Sequence, residues 1–263
     1  MDIDGIVADI SCDLPHALIA LDFDGTLAPL VPDPLASRPT DGTTAVLTAL
    51  ADAGAEIAVI TGRDARTVQE LGGFSSLRAL TIVGLYGIET LRDGRLTTID
   101  TPPAIETLRE RLPEVVAKHR ISEQVWVEDK RLSLVVHTRR APDPGMEQER
   151  LREPVARLAY ELGLETHDGR MVIEVRLPGF DKGSALEALV GRTQPTAVLF
   201  AGDDIGDLPA FTVTRRLRTQ GVRAWGVAAG SPPPAEVSEA ADAVVGGPVD
   251  VVAVLRQLLA RAD

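Results

Sequence analysis

Leu18-Ile19-Ala20-Leu21-Asp22-Phe23-Asp24-Gly25-Thr26-Leu27 is an apolar run of strand character that stops at two acids and a Gly-Thr turn. Side chains two apart on a strand point the same way, so Asp22 and Asp24 are expected to face one point just past the strand end. Gly25 permits the close turn and backbone approach that a phosphate needs. An Asp-x-Asp pair also ends ordinary strands, so the motif alone does not separate a solvated terminus from a site. As a site, the pair can hold a divalent cation. One carboxylate can then attack phosphorus while the other handles the leaving-group proton, a division open to acids in different environments.

Working outward, Ala28 to Thr40 carries Pro29, Pro32, Pro34 and Pro39 and reads as an extended loop beside the acid pair. Helical spacing over Asp41 to Ala53, with Gly54 as its stop, leads to a second short strand, Glu56 to Ile60, and then to Thr61-Gly62-Arg63-Asp64 before another helix. A third strand, Leu80 to Val83, ends at Gly84-Leu85-Tyr86-Gly87. Alternating strands and helices predict a doubly wound parallel sheet, in which ligands gather at the carboxyl ends of the strands.

The rhythm changes at Pro102-Pro103. A helix over Ala104 to Arg120, kinked or divided by Pro113, precedes strands Gln124 to Glu128 and Leu132 to His137, joined closely enough to require an antiparallel hairpin. A second helix containing Pro154 and a second hairpin about Asp168-Gly169 follow. The expectation is a small α+β unit over residues 103–178, inserted into a core of residues 1–102 plus 179–263. The core resumes with a helix from Lys182, strand Ala197 to Ala201, a helix from about Gly206 to Leu217, strands Val222 to Val227 and Ala243 to Val245, and a last helix. A (β/α)₈ barrel fits the length, but the antiparallel middle leaves too few parallel strands.

Composition narrows the function classes. Aromatics are only 3% of 263 residues, so the core is aliphatic, as in layered α/β packing. The formal net charge of −12, with no long basic run, argues against nucleic acid as a partner. Cys12 stands alone, which excludes an intramolecular disulfide framework. The opening Met1-Asp2-Ile3-Asp4-Gly5 lacks the basic start of a signal peptide, and no apolar stretch reaches the roughly 18 residues of a membrane span, so a soluble cytoplasmic protein is expected, compatible with a monomer.

Other strand ends carry further candidates. Thr61 and the Gly62 amide, placed before a helix, can hold a phosphate oxygen at its positive end, or Thr61 can be a plain cap. Lys182 opens a helix, where a lysine is electrostatically misplaced; it is either a cation held against phosphate or a surface lysine. Gly202-Asp203-Asp204-Ile205-Gly206-Asp207 concentrates three acids that repel one another unless a cation compensates. Two acids, a threonine, a lysine and an acid cluster, each beside its own strand, make the parts of cation-assisted phosphoryl transfer.

In these residues the chain resembles the haloacid dehalogenase-like (HAD) phosphatases: Asp22-Phe23-Asp24-Gly25-Thr26, Thr61, Lys182, and Gly202-Asp203-Asp204 with Asp207 match their four motifs. The inserted unit resembles their C2-type cap. Val59-Ile60-Thr61-Gly62-Arg63, Val127-Glu128-Asp129-Lys130 running into Ser133-Leu134-Val135-Val136-His137, and Glu174-Val175-Arg176 before Asp181-Lys182-Gly183 resemble the trehalose-6-phosphate phosphatases. The resemblance implies a Rossmann-type HAD core with a C2 cap and Mg²⁺ as cofactor, held by Asp22, the Asp24 main-chain carbonyl and Asp203, with Asp204 and Asp207 in support. It implies Asp22 as nucleophile, Asp24 as acid/base, Thr61 and Lys182 on the phosphoryl group, and Gly25, Gly62 and Arg63 as substrate-binding residues. Glu128, Lys130 and Glu174 are implied to bind the hydroxyls of a small sugar phosphate, from a hairpin tip that is otherwise a solvated turn. One departure stands out: Tyr86 occupies the place where the family usually has histidine, and Glu89 nearby is expected to be exposed.

Overall fold

The computed structural model describes residues 2–262. In chain order it contains α1 (Ile3–Ser11), β1 (Ala17–Leu21), α2 (Thr43–Asp52), β2 (Glu56–Ile60), α3 (Ala65–Gly72), β3 (Leu80–Gly84), β4 (Glu89–Arg92) and β5 (Arg95–Thr98). Then come α4 (Pro103–His119), β6 (Trp126–Asp129), β7 (Ser133–His137), α5 (Pro144–Glu161), β8 (Glu165–Gly169) and β9 (Val172–Arg176). The chain closes with α6 (Lys182–Thr193), β10 (Ala197–Gly202), α7 (Leu208–Thr219), β11 (Arg223–Ala229), α8 (Ala235–Ala240), β12 (Ala243–Val245) and α9 (Pro248–Ala262). Two units emerge: one ends at Thr98 and resumes at Phe180, and the other is Ile99–Gly179.

The first unit is built on an eight-stranded sheet ordered β12-β11-β10-β1-β2-β3-β4-β5. β1 runs parallel to both neighbours, Leu21 aligning with Ala201 on one side and Val59 on the other. Strand alternation assigns the two faces. Ile19, Leu21, Ile57, Val59, Leu199 and Ala201 pack with α1, α2, α3 and α9, whereas Leu18, Ala20, Ala58, Ile60, Val198 and Phe200 pack with α6, α7 and α8. Strands apolar on both faces are what a sheet covered by helices on both sides requires. After β1 the chain builds outward through β2 and β3, and it later returns through β10 to the opposite edge of β1. The strand order therefore reverses at β1, the switch point where open α/β sheets bind ligands.

Some elements go beyond the sequence expectation, α8 among them. The acidic opening is helical: α1 is capped by Asp2, whose side chain accepts from the Gly5 N–H. β4 and β5 add an antiparallel hairpin to the sheet, closed by Asp93 and Gly94 at φ 51° and 74°, the left-handed pair that a two-residue turn demands.

The second unit is a four-stranded antiparallel sheet ordered β6-β7-β9-β8 with α4 and α5. Both helices run unbroken through their internal prolines, so of the two alternatives, a kink or a division at Pro113, division of α4 is ruled out. Val135 pairs with Glu128 on one side and Glu174 on the other, which puts both acids on one face of the sheet. No helix of the described residues is long and apolar enough to cross a membrane.

Candidate active site

The alternation that puts Leu18 and Ala20 on the α6 side of β1 continues to Asp22, whose N–H extends the ladder by donating to Ala201 O at 2.9 Å. Its carboxylate is 5% exposed and lies 2.9 Å from Lys182 Nζ. Lys182 is the first residue of α6, and a reciprocal cap fixes it there: the Ser184 N–H donates to Asp181 Oδ1 at 2.7 Å and the Asp181 N–H to Ser184 Oγ at 3.0 Å. Its ammonium also meets Asp207 Oδ1 at 2.7 Å. The other Asp207 oxygen accepts from the N–H groups of Asp203 and Asp204, which folds the loop after β10 back toward β1. Asp203 then reaches Gly25. At φ +78° Gly25 is left-handed, and a Cβ there would fall 2.0 Å from Asp203 Oδ2. The bare backbone thus admits an acid, which is a different reason for this glycine from the phosphate approach expected of it.

Crowding these acids has an electrostatic cost. Burial, reinforced by Asp203 and Asp204, pushes the Asp22 carboxyl up to about 7 against the pull of Lys182. Asp203 is pushed up to about 6 by burial and by Asp204 and Asp207. Asp207 is raised by burial and by Asp22. Burial opposes the Lys182 charge, yet Asp22, Asp207 and Asp204 outweigh it and raise its pKa. Asp22, Asp203 and Asp207 bring carboxylate oxygens within 4.8 Å of one another. Three acids facing a single ammonium are short of positive charge, and that oxygen-only donor set fits a hard divalent cation. Asp204, 3.9 Å from Lys182 with a side chain 64% exposed, stands at the rim.

Asp24 takes other partners. β1 ends at Leu21, so Asp24 lies beyond the ladder, and it lines one cavity with Asp22. Arg63 Nε donates to Asp24 Oδ2 at 2.6 Å and Nη2 to Oδ1 at 2.7 Å. Ser37 Oγ adds a donor to Oδ1 at 3.1 Å. The cavity, about 240 Å³, is also lined by Thr61, Gly62, Tyr86, Lys182 and Asp203.

Thr61 is buried at the end of β2, where its Oγ1 accepts from the Arg63 N–H at 3.1 Å. It does not sit at the start of a helix. α3 begins at Ala65, its N-terminal amides taken by Asp64, which accepts from Thr67, and by Glu89, which accepts from Ala65 at 3.1 Å. Glu89 is therefore a buried acid and not the exposed one expected. The positive end of α3 is occupied by the protein's own carboxylates. Leu85 and Tyr86 are consecutive left-handed residues at φ 48° and 58°, held by N–H bonds to Arg63 O at 2.9 Å and Thr61 O at 3.1 Å. A Cβ on Gly62 would lie 2.6 Å from the Tyr86 hydroxyl, so the phenol occupies space that only glycine leaves open.

In the second unit, Glu128 Oε2 lies 2.7 Å from His137 Nε2, and Glu174 Oε1 accepts from Ser133 Oγ at 2.7 Å. His137 stacks on Trp126 with ring centroids 4.5 Å apart. Lys130 lies in the turn between β6 and β7, its N–H bonded to Ser133 O. Sequence reasoning did not single out Ser37 or a bond from His137 to Glu128. The only signal for Ser37 was its place in a loop expected to wall the site.

The family model described as Trehalose-phosphatase matches residues 20–234. The chain is 33% identical over 218 residues to the trehalose-phosphate phosphatase of Mycobacterium avium, covering 79% of this chain and 54% of that protein. It is 32% identical over 238 residues to the probable trehalose-phosphate phosphatase of Sinorhizobium fredii, covering 88% and 83%. An uncharacterized glycosyl hydrolase of Mycobacterium tuberculosis matches at 33% over 207 residues, covering 75% of this chain and 15% of that protein. The chain thus spans about half, or far less, of several curated relatives that it matches. Among solved structures, trehalose-6-phosphate phosphatase of Aspergillus fumigatus superposes with a TM-score of 0.75 at 25% identity, covering 97% of both chains. The C-terminal domain of the Candida albicans enzyme, at 22% identity and a TM-score of 0.74 over 98% of this chain and 96% of that one, shares the fold. With most of its length matched by the family model, the chain belongs to the trehalose-phosphatase family of HAD-like hydrolases.

Proposed function

We propose that the chain is a Mg²⁺-dependent phosphatase that releases trehalose and inorganic phosphate from trehalose 6-phosphate. The observation that carries this reading is the buried Lys182–Asp22 pair beside Asp203, at the carboxyl ends of adjacent strands. The carboxylates of Asp22 and Asp203 and the main-chain carbonyl of Asp24 would hold the cation, which when bound neutralises phosphate charge. Asp207, with both oxygens engaged by Lys182 and two amides, supports them, and Asp204 adds negative charge at the rim.

An Asp22 carboxylate oxygen bonds to phosphorus as the phosphorus–sugar oxygen bond breaks, and Asp24 gives its proton to that oxygen. Water then bonds to phosphorus and yields a proton to Asp24 as the Asp22–phosphorus bond breaks and inorganic phosphate leaves. Thr61 and Lys182, with the Gly62 amide, hold the phosphoryl oxygens. Glu128, Lys130 and Glu174 hold sugar hydroxyls. Phosphate monoesters are among the slowest substrates to hydrolyse unaided, with accelerations up to about 10²¹-fold, so such concentrated charge has a chemical purpose.

Phosphate release from a panel of sugar phosphates, assayed with Mg²⁺, tests the reading. Trehalose 6-phosphate should be turned over best. Equal turnover across the panel would point to a broader sugar phosphatase, and no release from any member to a sugar-phosphate-binding protein without catalysis. Asp22→Asn should abolish turnover; substantial residual activity would reject Asp22 as nucleophile.

A further inference from the structure

We propose that Arg63 is a positioning residue that aims the Asp24 carboxylate, and not a ligand of the substrate; the proposal rests on the reading of Asp24 as the proton donor. Asp24 lies beyond the ladder of β1, so the sheet does not set its side-chain direction. Arg63 does. Its Nε and Nη2 meet the two carboxylate oxygens at 2.6 and 2.7 Å, a planar fork against a planar acceptor. Its third nitrogen, Nη1, donates to Pro34 O at 2.8 Å. All three guanidinium nitrogens are thus engaged within the protein.

The Arg63 main chain is fixed as well. Its N–H is held by Thr61 Oγ1, and its carbonyl accepts from Leu85 at 2.9 Å. Ser37, buried in the same loop as Pro34, completes the hold on Asp24 Oδ1. Arg63 therefore ties three parts together: the end of β2, the acid beyond β1, and the proline-rich loop. A guanidinium that left to grip a phosphoryl group would strip Asp24 of two charge-assisted hydrogen bonds and the loop of its Pro34 tie at once. The opposite assignment follows: the fork stays, and Asp24 keeps one direction through the reaction.

The two roles separate by leaving group. The ratio kcat/KM reports steps through departure of the leaving group, and 4-nitrophenolate departs without a proton whereas a sugar alkoxide needs one. For trehalose 6-phosphate, Arg63→Ala should lower kcat/KM about 10²-fold, within the range of general-acid contributions; for 4-nitrophenyl phosphate it should lower it less than about fivefold. Ser37→Ala, which removes one bond, should show the same selectivity at about three- to tenfold. Arg63→Lys should recover little, since a point charge cannot span two oxygens. Asp24→Asn serves as the reference and should show the same leaving-group selectivity. If Asp24→Asn shows it but Arg63→Ala and Ser37→Ala slow both substrates equally, or raise KM with kcat retained, the positioning role is overturned and Arg63 is a substrate ligand. If Asp24→Asn itself lacks selectivity, the reading of Asp24 fails and the proposal falls with it.

Discussion

Lys182 Nζ lies 2.9 Å from Asp22 Oδ1, and both side chains are about 95% buried, although the two residues lie on opposite sides of Ile99–Gly179 in the sequence. The ammonium is shared with Asp207 at 2.7 Å, so removing it strands two acids. Truncating one partner of a buried ion pair costs about 3–5 kcal/mol because the remaining charge is left without compensation. Lys182→Met should therefore lower the unfolding free energy by that amount in urea titration at neutral pH, and much less at about pH 5, where the two acids can protonate. A variant as stable as the parent at both pH values would show that the acids, and not the lysine, organise the cluster.

The raised acids make a signed prediction for the metal-free protein. Asp22 and Asp203 titrate near 7 and 6 when folded, and near 3.9 when unfolded. Between about pH 4 and 7 the folded state binds more protons, so stability falls as pH rises through that window. Lys182, raised, contributes a constant amount below its unfolded value near 10.4. With EDTA present, Tm should be higher at about pH 5.5 than at about pH 7.5. Mg²⁺ should reverse the order, because its carboxylate ligands must be deprotonated. A metal-free Tm that climbs with pH over this range would contradict the cluster's charge balance.

Gly25 offers a test of the cation set that leaves every carboxylate in place. A Cβ at this position would collide with Asp203 and would sit on a backbone at φ +78°. Gly25→Ala should displace Asp203 and weaken Mg²⁺ binding at least about tenfold by calorimetry, with about 1–2 kcal/mol of added strain. Unchanged Mg²⁺ affinity would remove Asp203 from the ligands.

Tyr86 is held in a left-handed conformation with its hydroxyl against Gly62 and its ring on the cavity wall. Strained residues of this kind persist where the surroundings over-determine them. Tyr86→Phe and Tyr86→His should leave hydrolysis of 4-nitrophenyl phosphate within about threefold while shifting the kcat/KM ratios among sugar phosphates about tenfold, a shift near 1.4 kcal/mol. Ratios that do not move would assign sugar choice to Glu128, Lys130 and Glu174.

The sequence exposed what repeats and what concentrates. Apolar strands alternating with helices announced the doubly wound core, two close-coupled hairpins announced the antiparallel insertion, and Asp22, Lys182, Asp203 and Asp207 converge where strand ends were expected to bring ligands. Its limits lie where a residue's role depends on a partner far along the chain. The tie of Asp24 to Arg63, 39 residues on, has no local signal. Glu89 read as exposed because nothing local shows that it caps α3 across the sheet. The Asp93-Gly94 turn was legible in principle, since few other pairs accept two left-handed residues.

The position of β1 between β2 and β10 also has a consequence in time. A chain growing from its N-terminus meets β2 soon after β1, but the whole of Ile99–Gly179 and α6 must be made before β10 arrives to cover the other edge. Until then a fully apolar strand presents one bare edge, and Asp22 has neither Lys182 nor Asp203. The growing chain thus carries a bare strand edge and an incomplete acid–lysine cluster together, and the arrival of the later segment completes both.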